Sequence, residues 1–209
     1  MPSWITIVLF VFAVSASKGY TEGFSRSGRW DLSLQGGAAI PVGDNIIGSN
    51  PSTSPLIQGS LFYNANSWMS LGMEIGYSTD HAQHFTGQAI GLHNGIYSWT
   101  GSYKGNYKLK VLQVTPEIEI GSWFGSFKPY LTFGGGFYRT EETVESDIWW
   151  VLPNQSNTSS YGGINGGGGL LYKLGENFAT GPDIRYQRIF MTGQSFSYLA
   201  TELRLSYLF

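Results

Sequence analysis

The chain is predicted to be all-β, an eight-stranded antiparallel up-and-down transmembrane barrel, and four features of its 209 residues predict this. Charge is scarce: Asp, Glu, Lys and Arg make up 12% of the sequence, about half the share usual in soluble proteins. Aromatics reach 16% and there are 29 glycines, a mixture that disfavours long helices and suits pleated strands and tight turns. Apolar and polar residues also alternate at period two in segment after segment, the pattern of strands with one lipid face and one lumen face. Finally, the connections between these segments alternate short and long, as short periplasmic turns and longer outward loops require.

Composition excludes several classes. A net charge of −2 with no Lys/Arg cluster gives no field for a phosphate backbone, so nucleic acid is not expected as a partner. The absence of cysteine removes disulfides, thiolate nucleophiles and Cys-ligated metals. No stretch approaches about 18 uninterrupted apolar residues, so any membrane crossing must be made by strands.

At the N-terminus, Trp4 to Val14 is an apolar run too short to span a bilayer, and Val14-Ser15-Ala16 follows a small-x-small cleavage pattern. Residues 1–16 are therefore expected to be a signal peptide, 17–27 a lead-in and 28–209 the barrel. The first strand sets Trp30, Leu32, Leu34, Gly36, Ala38 and Ile40 against Asp31, Ser33 and Gln35, and stops at Pro41-Val42-Gly43. Ile57 to Tyr63 forms the second apolar face and Met69 to Tyr77 the third, with Glu74 behind it. The fourth places Leu112, Val114, Pro116, Ile118 and Ile120 opposite Gln113, Thr115, Glu117 and Glu119. Leu131 to Phe137 makes a fifth, and glycine-rich Tyr161 to Tyr172 a sixth. The seventh carries Phe178, Thr180, Pro182, Ile184 and Tyr186 against Asp183, Arg185 and Gln187. The eighth carries Leu199, Thr201, Leu203, Leu205, Tyr207 and Phe209 against Glu202, Arg204 and Ser206.

Between the last two strands, Thr192-Gly193-Gln194-Ser195 suits a two-residue hairpin turn centred on Gly193-Gln194. That centre would set Arg185 opposite Glu202 and Asp183 opposite Arg204, two pairs of opposite charge. Long outward loops are expected at 44–55, 79–106 and 140–160. Within the second, His93-Asn94-Gly95 is a hairpin signal. It would either cap a hairpin rising above the membrane or turn between two additional strands, making ten.

The Leu203-x-Leu205-x-Tyr207-x-Phe209 ending, Lys128-Pro129-Tyr130-Leu131 leading into Gly134-Gly135-Gly136-Phe137-Tyr138, and Gly37 through Gly43 closing the first strand resemble the outer-membrane protein β-barrel domain superfamily, the small barrels of the OmpA and OmpX kind. The resemblance spans residues 28–209. It implies residence among outer-membrane lipid, recognition of the Phe209 terminus by the barrel-assembly machinery, and a structural, adhesive, immune-evasive or pore function. It carries over no catalytic residue and no cofactor.

Acidic residues dominate the inferred lumen: Asp31, Glu74, Glu117, Glu119, Asp183 and Glu202 against Arg185 and Arg204. An interior just wide enough for side chains makes these a hydrogen-bonded plug; a narrow cation-preferring path is the alternative. His81, His84 and His93 with Asp80 fall in one expected loop and match no nucleophile–base spacing, so a barrel hydrolase is only a third reading and solvated loop histidines the expected one. Ile148-Trp149-Trp150-Val151-Leu152 must bury itself against the barrel mouth, the outer leaflet or an extracellular partner, which makes Trp149 and Trp150 the candidates for loop interaction.

Overall fold

A computed structural model describes residues 27–42, 52–93, 97–146 and 155–209. The expected signal peptide, most of the lead-in, and Trp149 and Trp150 lie outside the described residues. Eight strands, β1 (Trp30–Pro41), β2 (Ser54–Asn64), β3 (Met69–His93), β4 (Tyr97–Gly121), β5 (Phe127–Ser146), β6 (Gln155–Lys173), β7 (Phe178–Met191) and β8 (Gln194–Leu208), pair in sequence order. β8 returns to β1 and closes the barrel, every pair antiparallel. Closure leaves no open edge in the hydrocarbon, where an unpaired N–H or C=O costs several kcal/mol.

Hydrogen-bonded neighbours followed once around lead from Asp31 through Phe62, Gly72, Glu117, Gly134, Asn165, Gln187 and Tyr198 back to β1 at Pro41. That offset, from residue 31 to residue 41, is the stagger of the barrel, and it tilts the strands.

The alternation is resolved as an inside-out protein. Leu34 is 57% exposed and Leu203 63%, whereas Glu74, Arg185 and Arg204 are 0% exposed. Water outside would favour the reverse; hydrocarbon outside accounts for it. Around the end where the short turns lie, ring pairs from adjacent strands form a girdle: Trp30 with Tyr63, Phe127 with Tyr172, and Phe178 with Tyr207, at centroid distances of 4.9 to 5.2 Å. Aromatic belts of this kind sit at membrane–water interfaces.

Three expectations are corrected. The segment 79–106, expected to be a loop, is mostly strand, the arms of β3 and β4 paired from His81↔Leu109 to His93↔Tyr97; the hairpin rises above the barrel and the strand count is the expected eight rather than the alternative ten. Likewise β5 and β6 run far into 140–160, paired up to Val144↔Gln155.

The β7–β8 hairpin is centred one residue earlier than expected. Met191 pairs with Gln194, leaving Thr192-Gly193 as the turn, with Gly193 at φ 76° in its second position. Asp183 consequently faces Glu202, and Arg185 faces Ala200. The positive φ at Gly193 fixes the turn. Opposite charges need not face each other across this hairpin, because Arg185 takes Asp183 along its own strand and Glu74 and Glu117 from strands across the lumen.

Candidate functional site

The lower lumen is built on two arginines, one on β7 and one on β8. Both lie on the inward phase of their strands, and both are fully buried. Arg185 donates from Nε and Nη2 to the two carboxylate oxygens of Asp183 two residues before it, each at 3.0 Å. Its Nη1 reaches across to Glu74 on β3 and, at 2.9 Å, to Glu117 on β4. Glu117 also accepts from Asn165 at 2.6 Å and Thr132 at 3.1 Å, and Tyr130 donates to Asp183 at 2.5 Å. Gln58, oriented with its nitrogen toward the acids, bridges Glu74 at 2.9 Å and Glu202 at 3.1 Å, while Asp183, which faces Glu202 across the hairpin, is held by Arg185 and Tyr130.

Nearer the short turns, Arg204 binds Glu119 at 2.5 Å and Ser33 at 2.9 Å, with Asp31 at 3.8 Å. Its guanidinium lies over Phe62 and Tyr130, 5.5 and 5.2 Å from their ring centroids. Glu119 takes a second cation, Lys128 on β5, at 2.5 Å. The eight acidic and basic lumen residues named from the sequence thus meet in two joined clusters. Lys128, not among those eight, shares the inward phase of Tyr130 and Thr132, and that phase is the signal that discloses it.

The glycines of β6 make room for this packing. A Cβ at Gly167 would fall 2.8 Å from Arg185 Cγ and closer still to the β7 backbone, so the arginine occupies the space a side chain would need.

Above the ionic clusters the interior changes character. Tyr107, Leu109 and Val111 of β4 pack with Leu56, Tyr138, Ile189, Met191, Phe196 and Tyr198 in one buried apolar cluster. Tyr198 joins the two zones, its hydroxyl 2.9 Å from Gln113 Oε1 and 2.8 Å from Gln187 Oε1. His81 is corrected from an expected solvated loop position: it lies on β3, 1% exposed, its Nε2 3.1 Å from Ser54 Oγ and 3.2 Å from Ser78 Oγ, its ring against Phe196. Positions 84 and 93 also lie on β3, with side chains outside the described residues. Among the described residues no three His, Asp or Glu side chains gather as metal ligands.

On the outer wall, Leu203, Leu205, Tyr207 and Phe209 all face outward and are exposed. Higher up, Lys108 pairs with Glu145 at 2.9 Å and Lys110 with Glu141 at 3.6 Å, both on the outside of β4 and β5.

A closed eight-stranded barrel with an apolar exterior, an aromatic girdle and a salt-bridged interior defines a small transmembrane barrel protein. Residues 5–209 match the family model described as outer membrane protein beta-barrel domain, and the chain belongs to that family. Its place is accordingly the outer membrane. Among solved structures it is similar to Ail, the attachment invasion locus protein of Yersinia pestis, in complex with the heparin analogue sucrose octasulfate. That match has 15% identity, covers 88% of this chain and 99% of that one, and has a TM-score of 0.50. It is also similar to Neisserial surface protein A, at 14% identity over 89% of this chain and 98% of that one, with a TM-score of 0.51. At such identities the likeness is one of fold. None of the curated proteins compared matches the chain.

Proposed function

We propose that this is a non-enzymatic outer-membrane barrel whose filled wall anchors a raised extracellular edge that meets partners at the cell surface. The observation that carries the reading is the contrast between interior and rim. Side chains from all around the wall interlock inside, whereas β3 and β4 run for 25 residues each, about 80 Å of strand at roughly 3.3 Å per residue. That is far more than a hydrocarbon core about 30 Å thick requires, even for tilted strands. The extra length lifts the β3–β4 hairpin away from lipid.

Trp149 and Trp150, in the connection between β5 and β6, are the proposed contact residues. Ail, named for attachment and crystallised with a heparin analogue, lends the reading an analogy of fold and nothing more. Residues 1–16 are proposed as the cleaved export signal, with Leu203, Leu205, Tyr207 and Phe209 as the assembly signal.

The competing pore reading is disfavoured by the buried Arg185 and Arg204 clusters and the apolar cap above them, and the hydrolase reading by the burial of His81. Replacing Trp149 and Trp150 with Ser should reduce attachment of expressing cells to a protein-coated surface. The purified barrel should give no discrete conductance steps in a planar bilayer. Unchanged attachment refutes the contact residues, and stable steps refute the filled wall.

A further inference from the structure

The outward surface where β5, β6 and β7 meet differs from the rest of the wall. Gly162 on β6 has Phe137 of β5 directly on one side and Phe190 of β7 directly on the other. Phe137 is 76% exposed, the most exposed large apolar side chain among the described residues, and Phe190 is 48% exposed. A Cβ placed at Gly162 would meet nothing within 4 Å. The two phenylalanines stand two strand spacings apart, about 9.6 Å at the backbone, with an open floor between them. A methylene chain fits such a slot, walled by two rings.

Cations stand around the upper end of this slot. Arg139 is two residues above Phe137 on the same outward face, opposite Leu112, and is exposed. Lys110 is its diagonal neighbour on β4, held only loosely by Glu141 at 3.6 Å with both side chains more than a third exposed. Among the described residues no carboxylate lies within ion-pair distance of Arg139. On the far wall Arg188 lies one pleat below Phe190, yet its side chain climbs over that ring, 5.9 Å from the centroid, to donate to Ser195 at 3.3 Å. An arginine that lies along an aromatic to lift its charge toward water is snorkelling at the edge of the apolar band.

Slot and cations together match an amphiphile whose anionic head joins an acyl chain. We propose that this face binds one phosphorylated lipid of net negative headgroup charge from the outer leaflet, with an acyl chain over Gly162 between Phe137 and Phe190 and the phosphate against Arg139 and Lys110. Guanidinium suits phosphate because its planar fork offers paired donors. Outer-membrane residence is the only earlier conclusion on which this rests, so it stands whether or not the hairpin binds a partner.

The test uses the refolded full chain in neutral detergent, counting lipids retained by native mass spectrometry as phosphatidylglycerol or phosphatidylcholine is titrated in. Only the folded, heat-modifiable species is scored. One phosphatidylglycerol should be retained by the parent protein in preference to phosphatidylcholine. Arg139→Gln with Lys110→Gln should weaken retention about tenfold, an effect of about 1.4 kcal/mol. Gly162→Leu, which fills the slot, should weaken it similarly; Phe137→Ala, a surface truncation, serves if that variant does not fold. Arg29→Gln, at the opposite end, should change nothing, and millimolar inorganic phosphate should not displace the lipid. Equal retention of the two lipids, or of phosphatidylglycerol by parent and charge variant, would overturn the proposal as ordinary lipid solvation. Full displacement by phosphate would overturn it in favour of a bare anion site.

Discussion

The two halves of β4 obey the same alternation in opposite senses. From Leu112 to Ile120 the even-numbered residues, all apolar, point outward, while Gln113, Thr115, Glu117 and Glu119 are buried. From Asn106 to Val111 the inward residues are Tyr107, Leu109 and Val111, and Asn106, Lys108 and Lys110 lie outside. β4 itself runs straight through this point, keeping one register with β5 from Gly105↔Ser146 down to Gly121↔Tyr130, while β3 bulges against it between Ser78 and His81. What changes is the medium beyond the wall. Below Leu112 the sheet must satisfy hydrocarbon outside and hold its polar groups within; above Val111 it behaves as a sheet in water, with a greasy inside. The inversion marks the outer edge of the membrane to within a residue or two, and the ionic and apolar zones of the interior are its inner counterpart.

The largest effect expected from disturbing this contrast lies in the lower half. Arg185→Met removes the partner of Glu74, Glu117 and Asp183 together, and breaking a buried pair from one side costs about 3–5 kcal/mol. Urea unfolding in lipid vesicles should register a loss of that size or a failure to refold. An unchanged midpoint would mean that the cluster contributes nothing to stability. Next comes the wall itself: Val114→Lys puts a charge on the lipid face one pleat inside the membrane edge and should cost about 1–2 kcal/mol by the same measurement, between the interfacial and midplane penalties. Lys108→Ala, only three pleats higher on the same outward face, removes a half-exposed ion pair and should move the midpoint by less than about 0.5 kcal/mol. Similar penalties at positions 114 and 108 would erase the contrast.

The same inversion explains what could be read from the sequence and what could not. The membrane-spanning segments were legible because lipid imposes one sense of alternation on all of them, so Leu203, Leu205 and Tyr207 or Ile118 and Ile120 disclose the outer face without help. The upper arms look like loops in the sequence because Tyr107, Leu109 and Val111 continue the period with its sign reversed, and an apolar-outside pattern breaks off there. Which charges lie inside follows from phase, but who partners whom does not. Arg185 reaches Glu74 and Glu117 on strands β3 and β4, neither adjacent to β7, and no local pattern encodes that distance. The β7–β8 register is hidden for the same reason: opposite charges across one hairpin do not set it, since Arg185 takes Asp183 along its own strand and Glu74 and Glu117 across the lumen.

The inversion is tested most directly by depth profiling along β4. The chain has no cysteine, so a single cysteine introduced in turn at positions 106, 108, 110, 112, 114, 116 and 118 can carry a unique spin label in the vesicle-reconstituted protein. Collision with a water-soluble nickel chelate and with oxygen then reports the medium at each site. The account predicts strong nickel collision at 106, 108 and 110, and oxygen-dominated collision from 112 to 118, with the change falling between 110 and 112. Nickel collision at 114 and 116 equal to that at 108 would contradict it.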